Sequence, residues 1–315
     1  MPSQTFLKPL VSASALLLLA ACGGEQPAEE TAAPAFVALP PAEACQKLVG
    51  TSFTAESIGE PTTGANVTSA ELVAADATDN RNGEYCKVLG AIHPVDSTAP
   101  DINFEVNLPS NWNNKTVQFG GGGLNGTLVT GLGYYAKQPG TEDTVLKRGY
   151  VTLGSDSGHQ STVGFDGTFY LNAEALENYG HMQIKKTHDV AMQLIEARYG
   201  SAPMYNYFIG GSQGGHEGFD ALQRYPDDYS GVIAGYPAHN VLMLHLSAWN
   251  YAKTLQGNDG KNWINPTEAE NLVKVVYERC DSLDGAADGI ISNLSACEAT
   301  NAPLKLLTDE NPLRC

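Results

Sequence analysis

The sequence predicts an α/β fold: a parallel or mixed sheet covered by helices on both faces. Three observations carry this. Short apolar runs alternate with helical patterns between residues 102 and 234. Two of those runs feed directly into glycine-rich turns. One such turn reads Gly-x-Ser-x-Gly between a strand and a helix, the context in which that motif has chemical meaning.

The elements follow in order. Ile102, Phe104, Val106 and Leu108 alternate with polar residues and then meet Pro109, Asn111 and Asn113, which reads as a half-buried strand and a turn. Thr116 to Phe119 is a short strand running into Gly120-Gly121-Gly122-Gly123. Gly149 to Leu153 is another, ending in Gly154-Ser155-Asp156-Ser157-Gly158-His159. His181 to Arg198 is a long helix with Ile184, Val190, Ala191, Leu194 and Ile195 on its apolar side. Tyr205 to Ile209 is a strand, Gln213 to Arg224 a helix and Gly231 to Ala234 a buried strand. From about Asn240 the pattern turns irregular and helical, and a domain change is placed there. No internal repeat is visible.

Composition narrows the function. The 315 residues are enough for two domains, or one large α/β domain with an insertion. Lys and Arg total 18 against 35 Asp and Glu, a formal charge of −17, which argues against nucleic acid as a partner. Apolar residues make up 42%, so the chain is not disordered and can bury a core.

The N-terminus reads as an export signal. Lys8 precedes an apolar run, Val11 to Ala21, too short to span a bilayer as a mature helix. It ends in Leu19-Ala20-Ala21-Cys22-Gly23, which resembles a bacterial lipobox and makes Cys22 the expected lipidation site. Residues 1–21 are then a signal peptide and 22–41 a flexible, lipid-anchored linker rich in Gly, Glu, Pro and Ala. The expected location is the cell envelope, on the outer membrane, with membrane contact through the lipid only. Export permits disulfides. Apart from Cys22 there are five thiols, Cys45, Cys86, Cys280, Cys297 and Cys315, an odd number.

The stretch Phe208-Ile209-Gly210-Gly211-Ser212-Gln213-Gly214-Gly215 points to Ser212 as a nucleophile. A serine on so tight a turn has strained backbone angles, and flanking glycines let strand and helix approach closely. The helix N-terminus then favours developing negative charge. An oxyanion hole needs backbone N–H donors. Gln213, next to the nucleophile, supplies one; Phe119 to Gly126 supplies the other, with Gly122 preferred. Four glycines can also cradle a phosphate, but no Gly-Lys-Ser/Thr follows. Ser212 further requires a histidine base oriented by a carboxylate. His216 lies on the nucleophile's own helix, while His239 and His245 follow the very next strand with none between to carry an acid. His159 and His188 precede the serine and read as ordinary polar partners. The base is therefore expected outside these residues.

Taken together, Phe119–Gly126, Ser155-Asp156-Ser157-Gly158-His159, Gly210–Gly215 and Gly231-Val232-Ile233-Ala234-Gly235-Tyr236-Pro237-Ala238 resemble, in order and spacing, the tannase and feruloyl esterase family of α/β-hydrolases. That family also includes the enzyme cleaving mono(2-hydroxyethyl) terephthalate. The resemblance runs from about residue 42 to the last residue. It implies an α/β-hydrolase sheet with an inserted lid domain: catalytic residues 42–239, then the start of a lid at 240–315. It also implies a structural calcium in the lid, with Asp281, Asp284 and Asp288 giving carboxylates and Ala286 and Ile290 giving carbonyl oxygens. The residues favour this independently, since three carboxylates within eight positions, separated by glycines, offer hard oxygen ligands. The resemblance further pairs Cys45 with Cys86 and Cys280 with Cys297.

Two departures stand out. Most of the family has a Cys immediately before the nucleophile, bonded to a Cys beside the catalytic His; here that position is Gly211. The family's catalytic Asp and His, and the partner of Cys315, correspond to positions beyond residue 315, so the fold is expected to be C-terminally incomplete and the chain alone inactive. The expected function is a serine carboxylic ester hydrolase acting on aromatic acyl esters. The alternative is a non-catalytic surface lipoprotein that binds calcium or an aromatic ligand.

Overall fold

The computed structural model describes residues 39–133, 143–257 and 259–300. The signal segment, Cys22, nearly all of the linker and Cys315 lie outside them. A short helix α1 (Pro41–Gln46) leads into β1 (Ser52–Phe53), β2 (Gly64–Val73), β3 (Tyr85–His93), β4 (Ile102–Pro109), β5 (Lys115–Phe119) and β6 (Val151–Ser155). Helix α2 (Ala173–Glu177) passes through a π-turn at Asn178–Met182 into α3 (Gln183–Tyr199). Then come β7 (Tyr205–Gly211), α4 (Gln213–Arg224) and β8 (Gly231–Gly235). From there the described chain is helical: α5 (Val241–Gln256), α6 (Pro266–Cys280) and α7 (Leu294–Ala299).

The eight strands form one mixed sheet in the order β1-β2-β3-β4-β6-β5-β7-β8. Pairing is antiparallel from β1 through β4 to β6, and parallel from β6 through β5 and β7 to β8. The α/β class is therefore borne out. Three details differ from the sequence expectation, each for a positional reason.

First, β4 is buried on both faces, not half-buried, because it sits mid-sheet between β3 and β6. Its polar side chains are partly satisfied inside: Lys87 Nζ lies 3.7 Å from Glu105 Oε2, and Asn107 Nδ2 donates to the Thr130 carbonyl at 2.7 Å, while Glu105 Oε1 and Asn107 Oδ1 meet no partner among the described residues. Second, β8 is only partly buried because it is the last strand of the described sheet. Third, α3 and α4 cover one face, and among the described residues the other face is differently covered. A loop at 127–132 closes it over β6, where the Val129 N–H donates to the Ser155 carbonyl at 3.2 Å. Over β5, β7 and β8 it is an open apolar groove of about 420 Å³ lined by Val117, Tyr150, Tyr207, Ile209 and Ile233.

The main core lies between α3 and the sheet. Val190, Ala191, Leu194 and Ile195 are fully buried against Ile102, Phe104, Val106, Leu108, Val151 and Leu153. A second cluster joins Ile184, Phe208, Ala221 and Tyr229 and fixes α4 beside α3. This places the β7–α4 junction at the carboxyl ends of the parallel strands, where open α/β sheets bind ligands. The Cys45–Cys86 disulfide ties α1 to β3.

Candidate active site

Ser212 occupies the single residue between β7 and α4. Its backbone stands at φ 56° and ψ −115°, a sparsely populated conformation that a non-glycine residue holds only when its surroundings over-determine it. They do. The Ser212 N–H donates to the Gly235 carbonyl at 3.1 Å, and the Ser212 carbonyl accepts from Gly215, His216 and Ala238 N–H at 3.1, 3.1 and 2.9 Å. The side chain makes no capping bond to its own helix and is exposed. The hydroxyl is thus free at the surface while the main chain is locked.

The glycines explain how the turn closes. A Cβ on Gly210 would collide with the main chain of Gly214, and one on Gly214 would lie 2.7 Å from the Gly121 carbonyl oxygen. The polyglycine loop after β5 therefore rests directly on the first turn of α4.

Five amides of that loop are already engaged. Gly120 N–H is used by the Ile209 carbonyl, Gly121 N–H by Glu217 Oε2, Leu124 N–H by the Gly164 carbonyl, Asn125 N–H by the Gly122 carbonyl and Gly126 N–H by the Asp156 carbonyl. Among the described residues the amides of Gly122 and Gly123 meet no acceptor, nor does that of Gln213 at the helix N-terminus. Gly122 also faces open space where a side chain would stand. Free backbone donors beside a helix N-terminus and an exposed hydroxyl can stabilise an oxyanion.

Among the described residues no histidine is hydrogen-bonded to Ser212 Oγ. His216 turns along its helix to Asp220, Nε2 to Oδ2 at 3.2 Å, and that carboxylate raises its pKa. His188 bonds Asp189, and His159 is buried in a stack on Phe169 with ring centres 3.8 Å apart, where burial lowers its pKa. His239 and His245 are exposed.

Sequence reasoning missed Glu217. It is completely buried one turn along α4, accepting from Gly121 N–H at 3.0 Å and from Asn125 Nδ2 at 2.6 Å. Loss of solvent pushes its carboxyl up to about 7, against the lowering effect of those two donors. Three polar residues following an elbow by five, four and eight positions look alike in sequence; only the fold shows which one turns inward.

The acidic loop after α6 is closed by the Cys280–Cys297 disulfide, as expected. Its carboxylates turn back onto backbone amides: Asp281 accepts from Gly289 at 2.9 Å, Asp284 from Ala286 at 3.1 Å and Ser292 at 2.8 Å, and Asp288 from Ile290 at 3.0 Å. Gly285 and Gly289 take positive φ and allow the wrap. Three carboxylates are the donor type a hard divalent cation takes, although their ligand atoms do not all lie within 4.8 Å of one another. The one group of three ligand-type side chains with donor atoms within 4.8 Å of one another, among the described residues, is elsewhere: His188, Asp189 and Asp228. Lys185 already neutralises it, with Nζ 2.8 Å from Asp189 and 2.9 Å from Asp228.

Known proteins resemble this chain in sequence and in fold. Residues 86–315 match the family model described as tannase and feruloyl esterase. An uncharacterized esterase of Agrobacterium fabrum is 43% identical over 260 residues, covering 82% of this chain and 47% of that protein. Mono(2-hydroxyethyl) terephthalate hydrolase of Piscinibacter sakaiensis is 32% identical over 239 residues, covering 70% of this chain and 39% of that protein. The crystal structure of feruloyl esterase B from Aspergillus oryzae superposes with a TM-score of 0.62 at 26% identity, over 82% of this chain and 49% of that one. The chain thus spans about half the length of the relatives it matches. It belongs to the tannase and feruloyl esterase family.

Proposed function

We propose that the protein is a serine carboxylic ester hydrolase that cleaves aromatic acyl esters. The observation that carries this is the exposed Ser212, whose strained backbone N–H and C=O are both hydrogen-bonded, beside the unpartnered Gly122 and Gln213 amides. Ser212 Oγ attacks the ester carbonyl carbon. The general base takes the Ser212 proton, the carbonyl oxygen becomes an anion held by Gly122 and Gln213 N–H, and the intermediate collapses as the base returns the proton to the leaving alkoxide. Water, deprotonated by the same base, then attacks the acyl-enzyme and frees the acid and the Ser212 hydroxyl.

The general base is the part this site does not contain among its described residues. We expect it, with its orienting carboxylate, from a region corresponding to the remaining length of the relatives. The 315-residue chain by itself should then show no significant turnover, whereas a protein of the relatives' length should.

In the lid, Asp281, Asp284 and Asp288 with the carbonyls of Ala286 and Ile290 would hold a calcium ion. The ion would supply charge neutralisation and rigidity to the disulfide-closed loop, not a reacting group. Cys22 would carry the lipid that anchors the protein to the envelope.

The test is a panel of hydroxycinnamate, gallate and terephthalate monoesters offered to the protein at its relatives' length, the intact protein, and to its Ser212→Ala variant. Turnover of at least one ester, lost in the variant, is expected. Hydrolysis persisting without the Ser212 hydroxyl would mean that another nucleophile acts.

A further inference from the structure

We propose that Glu217 is a positioning residue of the oxyanion site, clamping the polyglycine loop to α4 so that the Gly122 N–H is held in one orientation. The proposal rests on the reading of Ser212 and Gly122 given above.

Peptide planes are rigid. The Gly121 carbonyl and the Gly122 N–H belong to one trans peptide, so fixing the first fixes the direction of the second. The Gly121 carbonyl accepts from Gly214 N–H at 3.0 Å. The peptide on the other side of Gly121 is fixed by its N–H, which donates to Glu217 Oε2 at 3.0 Å. Both planes flanking Gly121 are therefore pinned to α4, one by the helix backbone and one by Glu217. Glycine at 121 has no side chain of its own to resist rotation, so these two bonds define its conformation.

Glu217 also reaches the far end of the loop. Its Oε1 accepts from Asn125 Nδ2 at 2.6 Å, and the same amide donates to Ser157 Oγ at 2.6 Å. Asn125 stands at φ 59°, and its N–H closes a turn onto the Gly122 carbonyl at 2.9 Å. One carboxyl thus grips the loop on both sides of Gly122.

A carboxyl with no exposed surface and no Lys or Arg partner among the described residues is costly to keep. Its pKa near 7 reflects that cost. The groups facing it are His216 and Asp220 on α4, Tyr179 from the π-turn and Tyr229 ahead of β8; none is a fixed cation. Its ionised form accepts both loop bonds, whereas a proton on Oε1 would confront the Asn125 amide.

The experiment is steady-state kinetics of the intact protein on a hydroxycinnamate methyl ester, with Glu217→Ala, Glu217→Gln and Asn125→Gly, and Ser212→Ala as the zero. If Ser212→Ala stays active, the nucleophile reading fails. If it is inactive, Glu217→Ala should lower kcat by about 10²-fold, the scale of a lost oxyanion donor, with KM changed less than about two-fold. Glu217→Gln should recover part of kcat, since its amide oxygen can still accept the Gly121 N–H. It should also remove one ionisation near pH 7 from the acid limb of kcat/KM. Should Glu217→Ala fail to fold, the isosteric Gln variant and Asn125→Gly, which keeps the left-handed backbone, carry the test. Folded Gln and Gly variants with parental kcat and an unaltered pH profile would overturn the proposal, as would a change confined to KM.

Discussion

The phenol oxygen of Tyr236 lies 2.6 Å from the point where a Cβ on Gly211 would stand. The ring fills the space next to the elbow that a side chain at 211 would need, in a position where most of the family is expected to carry a Cys. Tyr236 is itself at φ 35° and is 61% exposed, so its ring has room to swing out.

This gives a paired prediction. Gly211→Ala should cost about 1 kcal/mol or less, because only an exposed ring must move. Gly210→Ala should cost about 3 kcal/mol or more, because the Gly214 main chain blocks it and cannot yield. Urea unfolding of the two variants measures the difference; equal costs would show that the elbow is looser than its contacts imply.

Glu217 should leave a signature in stability as well as in catalysis. Its pKa is raised in the fold from 4.5 to about 7, so its contribution is fully present below pH 4.5 and is lost as the pH rises through 7. The shift corresponds to about 3 kcal/mol. Relative to the parent, Glu217→Gln should therefore gain about that much between pH 4.5 and pH 8, as read from unfolding midpoints at each pH. A constant difference across the range would refute the raised pKa.

The two disulfides should differ in weight. Cys45–Cys86 closes a span of 41 residues and Cys280–Cys297 one of 17. Loop-closure entropy alone assigns them about 4 and about 3 kcal/mol. Replacing Cys45 and Cys86 by Ala should lower stability of the sheet domain, because that bond joins α1 to β3. Replacing Cys280 and Cys297 should act chiefly on the acidic loop, raising its proteolysis while the sheet's melting changes less.

Calcium binding should depend on the same loop. Titration calorimetry is expected to show one Ca²⁺ bound per chain and a rise in melting temperature, both lost on chelation. Asp284→Asn should weaken binding by at least about tenfold, since it removes a carboxylate charge from the donor set. Its carboxylate already lies below its usual range through the Ser292 and Ala286 amides, so it is ionised throughout the neutral range. Unaltered affinity would move the site elsewhere.

Most of the parallel half of the fold was legible in sequence, because β5, β6, β7 and α4 are each bounded by glycine turns and patterned by local burial. Helix α4 falls at the predicted residues, and α3 begins two residues later than expected because the π-turn occupies its first turn. Strands β2 and β3 were not legible. The β2–β3 register shifts between Val67 and Ser69, which breaks the period-two alternation. Gly90 looks like a strand breaker, yet it is there because the Phe104 ring packs where its side chain would be. The same distinction holds at the site. Ser212 and Gln213 stand out through the local Gly-x-Ser-x-Gly pattern and Gly122 through its run of glycines, whereas Glu217 acquires its role from Gly121, 96 residues away.

A floor assembled from main chain is vulnerable in an unusual direction. At positions 120, 121, 210 and 214 there is no room for even one added methyl group. Damage there comes from gaining atoms, not from losing them. Exposed side chains beside that floor, such as Tyr236, carry no such restriction, so the surroundings can change while the main chain beneath stays as it is.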